Sequence, residues 1–128
     1  MSRRPLGLPL PLPLLLWFGL LGAPFAWTVQ HVFGFGVTQA ACNLASRQWT
    51  VPVDALTLVA TIGATVIALL AGASAVIAFR ATRDAGTEIP GARIHFLATV
   101  GVVVTPIFVA IVLMSGISVL MLPACHQG

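Results

Sequence analysis

The sequence contains no lysine and no tyrosine, and only three of its 128 residues are acidic; all charged residues together make up 7%. So little charge cannot clothe a water-soluble domain, and a soluble fold is excluded. Without tyrosine, any role that needs a phenol is excluded as well. The one acid near a long apolar run, Asp54, stands at the entrance of the second and none lies deeper, so a carboxylate relay for protons and a charged ion pathway both lack their parts. There is no HExxH, no glycine-rich phosphate loop, and no Ser, His and Asp set in a water-facing segment long enough to build a site. The chain reads as a non-enzyme. No inverted repeat is visible, which argues against an autonomous transporter.

What the sequence has is apolar residues, at 59%. Three runs, about Leu12 to Ala41, Val53 to Phe79 and Ile94 to Leu122, exceed the roughly 20 residues that cross a bilayer. Three segments cannot close a barrel, and lipid tolerates no open sheet edge, so each run is expected to be a helix. The expected fold is an all-α membrane protein, a single three-helix transmembrane domain covering residues 1–128. The first run also resembles a signal sequence, but cutting after Ala23 or Ala26 would place Leu21 or Pro24 where a small residue is wanted. An uncleaved helix is the better reading. The prolines Pro5, Pro9, Pro11 and Pro13 are expected to form an extended lead-in.

Arg3 and Arg4 precede the first span and Arg80, Arg83 and Arg93 separate the second from the third, whereas Arg47 alone separates the first from the second. The excess of positive charge on one side predicts a cytoplasmic N-terminus and a C-terminus outside. The arginines therefore read as topology signals, and no nucleic-acid partner is expected despite the net charge of +3. Cys42 and Cys125 then end the first and third spans on the same outer, oxidising side, where a disulfide persists. Such a bridge closes a long loop, for which chain-entropy models give about 4 kcal/mol. A competing reading has Cys42, Cys125 and His126 holding Cu(I), which soft ligands suit. Neither a CxxC nor an outer methionine cluster accompanies them, so the disulfide is preferred and no metal is assigned.

Gln30 and His31 interrupt the first run. A histidine inside a span is a functional hypothesis by default. Haem ligation between helices would need a second histidine at matching depth. At 1.5 Å per residue, His31 lies roughly 16 Å below Cys42 and His95 on the order of 40 Å below Cys125, so one chain does not supply the pair. No cofactor is expected. The simpler reading is a hydrogen bond from Gln30 or His31 to a neighbouring helix.

Trp27, His31, Gly34 and Thr38 share one helix face, and Pro24 should kink the helix a turn earlier. In the second span Ala60, Ala64, Ala68 and Gly72 recur every four residues, a stripe of small residues that invites close helix contact. In the third, Thr105 precedes Pro106, and its hydroxyl is placed to help satisfy backbone groups that the proline frees. Both faces are candidates for helix packing or for contact with a partner.

The stretch from Gly22 through Pro24 and Trp27 to Cys42, a polar loop, an arginine-bearing loop, and a third span ending at Pro123 and Cys125 together resemble small three-helix bacterial membrane proteins associated with haem-copper cytochrome c oxidase systems. The resemblance covers most of the chain and carries no catalytic motif. It implies a multi-pass protein of the bacterial inner membrane, embedded in the lipid bilayer, that serves a respiratory complex as an accessory subunit or assembly partner. The alternative is a membrane protein that hands copper or haem to such a complex.

Overall fold

A long apolar segment in lipid must satisfy its own backbone polar groups, and the three runs do so as helices of 29 to 31 residues. The computed structural model describes residues 11–42, 52–83, 91–122 and Cys125. The helices are α1 (Leu12–Cys42), α2 (Val53–Ala81) and α3 (Gly91–Met121), arranged up, down and up, and each is long and apolar enough to cross a membrane. α1 starts inside the proline series. Pro13 occupies its first turn, where a residue without an N–H forfeits no helical bond, and the amides of Leu14 and Leu15 reach back to the Pro11 carbonyl at 3.1 and 3.2 Å. Pro13 thus belongs to the helix, not to the lead-in; Pro5 and Pro9 lie outside the described residues. α2 carries Asp54 in its first turn and Arg80 in its last, the signs that its dipole favours.

The interior is made of small residues and the exterior of large ones. Ala23, Ala26, Ala64, Ala68, Ala71, Ala75, Ala78 and Ala98 are buried, whereas Phe25, Val32, Val59, Phe96, Met114 and many other large side chains point outward. This inversion suits a bundle whose surroundings are as apolar as its own side chains: small residues let backbones approach and gain dispersion contacts, and large ones face lipid.

Contacts stack in layers from the end of the bundle that carries Arg80 and Arg93 towards the end that carries the cysteines. Leu16, Ala78 and Ala98 form the first layer. Next, three backbones converge: a Cβ on Gly19 would lie 2.7 Å from the Ala75 amide nitrogen, and one on Gly101 would lie 3.0 Å from the Gly19 carbonyl oxygen. Ala23, Ala68 and Ala71 follow, and then Ala26, Ala64 and Val112. Along α2 the buried positions are Thr57, Thr61, Ala64, Ala68, Ala71, Ser74, Ala75 and Ala78, and Thr82 is buried just past its end. Apart from Ser74, which flanks Ala75, their spacing alternates between four and three, the heptad pattern of a packed helix seam.

The expected stripe of Ala60, Ala64, Ala68 and Gly72 shares only its middle with this seam. Four residues advance a helix by about 40° beyond a full turn, so a strict four-residue row drifts off a straight contact line. Ala60 has turned towards α1 and borders a groove there, while Gly72 has turned towards α3, where a Cβ would meet Thr105 Cγ2 at 2.8 Å.

Cys42 and Cys125, 83 residues apart in sequence, are joined in a disulfide with their Cα atoms 5.4 Å apart, which ties the far end of α1 to the chain beyond α3. The spans match the expected limits to within a few residues.

Candidate functional site

The layered packing stops at Gln30. Its side chain is 4% exposed, although it lies deep in an apolar helix. Its Nε2 donates to Thr61 Oγ1 at 2.9 Å and to the Val112 carbonyl at 3.3 Å, so one amide links all three helices. The amide orientation follows from its partners. Thr61 Oγ1 gives its own proton to the Thr57 carbonyl at 2.8 Å and so acts as an acceptor towards Gln30, as does the Val112 carbonyl. Two acceptors require the NH2 group to face them. Gln30 Oε1 then has no hydrogen-bond partner among the described residues, and neither does Thr57 Oγ1, one helical turn further along α2. A buried polar atom left unpaired costs about 1–3 kcal/mol.

Both residues line a cleft of about 290 Å3 that opens between α1 and α3. His31, Thr38, Ser115 and Ser118 add polar groups to its walls. The Thr38 hydroxyl donates to the Gly34 carbonyl and the Ser118 hydroxyl to the Ser115 carbonyl, each at 2.8 Å, which leaves their oxygen lone pairs free to accept. The cleft exists because small residues stand where the wall is needed least: a Cβ on Gly34 would meet nothing within 4 Å. The disulfide lies beyond its far end, past Thr38 on α1 and Ser118 on the α3 side. No residue bearing a fixed charge lines it among the described residues.

Trp27, His31, Gly34 and Thr38 share a face of α1, and that face borders this cleft. Trp27 stacks on the exposed His31 ring at 5.5 Å between centroids and meets Phe108 of α3 edge-on at 5.8 Å. Of the adjacent pair, Gln30 and not His31 makes the bond between helices. His95 sits at the opposite end of the bundle, its Nδ1 3.0 Å from Thr82 Oγ1 and its ring stacked on Phe79. The two rings are thus far apart in depth. His126 lies outside the described residues. Thr105 donates to the Gly101 carbonyl at 2.8 Å. That is the carbonyl its own amide addresses, so the hydroxyl is not spent on Val102, whose oxygen Pro106 leaves without its usual amide.

A second, apolar groove of about 350 Å3 runs between α1 and α2. Phe25, Val29 and Phe33 border it on one side and Ala60, Gly63 and Ala64 on the other. A Cβ on Gly63 would meet nothing within 4 Å, and the same holds for Gly36, which continues the Val29 and Phe33 face of α1. Thr57, Ser115, Ser118 and Gly63 did not stand out in the sequence. The signals that could have marked them are the spacing of Thr57 and Thr61 along one face opposite Gln30, and a glycine in a span that otherwise reads as a good helix.

Among the described residues, no three of His, Cys, Asp and Glu stand close enough together to share a metal ion. Compared with known proteins, the chain matches no family model, no curated sequence and no solved structure.

Proposed function

We propose that the chain is a non-catalytic integral membrane subunit or assembly partner of a larger membrane complex, and that it docks through the groove between α1 and α2. The observation that carries this reading is Gly63, which lines this groove with its Cβ position open; Gly36, further along the Val29 and Phe33 face of α1, is open as well. Glycine in a helix interior costs roughly 0.5–1 kcal/mol relative to alanine. Gly19, Gly101 and Gly116 repay that within the bundle, because a Cβ there would press on a neighbouring helix. Among the described residues Gly36 and Gly63 have no such neighbour, as Gly34 has none at the α1–α3 cleft, so their use points to close approach by something outside the bundle. The groove that Gly63 lines is almost wholly apolar, and Ala60 and Ala64 extend its small-residue side. A transmembrane helix of a partner fits those terms, because helices in lipid associate where small residues let backbones meet.

The kind of complex follows from the resemblance to accessory proteins of haem-copper cytochrome c oxidase systems. On this reading the protein resides in the bacterial inner membrane, with its N-terminus in the cytoplasm and its disulfide outside. Purification of the tagged chain in mild detergent tests it. The expected outcome is co-migration with a large haem-containing complex, with no copper or haem on the chain when it is separated. A free chain carrying copper or showing a haem Soret band would instead support a cofactor-handling role.

A further inference from the structure

We infer that the cleft between α1 and α3 binds a neutral amphiphile through a hydroxyl group. The argument starts from its two unpaired atoms. Gln30 Oε1 can only accept a hydrogen bond, and Thr57 Oγ1 can donate one. A hydroxyl offers both complements: its O–H can donate to Gln30 Oε1 and its oxygen can accept from the Thr57 hydroxyl. A ketone or ester carbonyl would serve Thr57 and leave Gln30 unpaired.

The surroundings restrict the rest of the molecule. The cleft's described lining offers no carboxylate to a cation and no arginine to a phosphate, so the head is neutral. Gln30 lies twelve residues before Cys42, roughly 18 Å along the helix. The hydrocarbon layer is about 30 Å thick, so a group at that depth stands near its middle, where a charged or bulky head does not descend. A volume of about 290 Å3 exceeds what one or two waters fill, and Phe35 and Val119 give the walls an apolar share. Phe35 also points outward beside the opening. These features suit a molecule whose tail stays among the lipids while its hydroxyl enters. The phenol of a quinol and the free alcohol of a diacylglycerol both offer that chemistry.

The test uses the full chain, isolated from any complex, in phosphatidylcholine nanodiscs. Its outcome therefore stands apart from docking at the α1–α2 groove. Trp27 reports on the cleft, because it stacks on His31 at the cleft wall; Trp17 and Trp49 are replaced by Phe to isolate its emission. Dioleoylglycerol and a short-chain ubiquinol are titrated separately, each beside its O-methyl ether. A saturable change in Trp27 emission with one of the two is expected, and which one responds identifies the source of the hydroxyl. The ether should bind at least about tenfold more weakly, since it cannot donate and leaves Gln30 unpaired.

Gly34→Leu should abolish the response by filling the cleft, and its Cβ enters open space, so the bundle tolerates it. Thr57→Val keeps the side-chain shape, breaks no bond made within the protein, and should weaken binding roughly threefold to tenfold. Formation of the disulfide, read on a non-reducing gel, shows that each variant has folded. The inference is overturned if neither probe gives a saturable change, if the ethers bind as well as the alcohols, or if folded Gly34→Leu or Thr57→Val responds like the parent.

Discussion

Gln30 of α1 donates to Thr61 of α2 at 2.9 Å and to the Val112 carbonyl of α3 at 3.3 Å, so a single buried amide marks the level at which tight packing gives way to an open cleft. Hydrogen bonds between helices in lipid average about 0.6 kcal/mol and reach about 1.7. Gln30→Leu should therefore cost roughly 1 kcal/mol of bundle stability, and no more, because the amide oxygen it removes is already unpaired. Unfolding in a denaturing detergent titration measures this. A loss several times larger would mean that Oε1 is satisfied in the membrane by something the substitution also expels.

Glycines that look alike in sequence should respond differently to an added methyl. A Cβ on Gly19 meets backbone atoms of Ala75 at 2.7 and 2.8 Å, and backbone cannot swing aside. Gly19→Ala should destabilise by about 1–3 kcal/mol, as overpacking does. Gly36→Ala enters open space and gains helix propensity, so the isolated protein should be unchanged or more stable by up to about 1 kcal/mol. The same unfolding titration ranks the two, and equal effects would contradict the convergence of three backbones at Gly19.

The Cys42 to Cys125 bridge joins positions 83 residues apart, so its removal should lower stability by about 2–4 kcal/mol while the three helices persist by circular dichroism. A thiol reagent that cannot cross the membrane should label both cysteines from outside, after reduction and not before. Labelling from the cytoplasmic side alone would reverse the proposed orientation.

Much of this architecture was readable from the chain, for definite physical reasons. Apolar runs longer than a bilayer admit one backbone solution, so the three helices are visible in sequence, and two cysteines at the same end of their spans suggest their own pairing. Packing faces were harder. A four-residue row such as Ala60, Ala64, Ala68 and Gly72 looks like a stripe on paper but twists away from a straight seam, while the true alternation of three and four through Thr57, Thr61, Ala71 and Ala78 mixes hydroxyls with alanines and hides among them. His31 drew notice because it titrates, yet its neighbour Gln30 is the buried one; 100° of helix rotation separates them, and only the third dimension says which faces in. The cleft joins residues from three helices, with Gln30, Thr57 and Ser115 scattered along the sequence, so no local pattern announces it.

Whether the chain is a docked subunit is tested most directly by the fraction of tagged protein that co-migrates with the large complex when Gly63 is replaced by Leu. Its Cβ enters the groove between α1 and α2 with none of the described residues within 4 Å, so the isolated protein should keep its disulfide and its stability. Val103→Leu, at an exposed position on α3, serves as the control. The account predicts that Gly63→Leu migrates as a free small protein while Val103→Leu stays with the complex. Full retention of Gly63→Leu, or a parent chain that migrates alone, would contradict it.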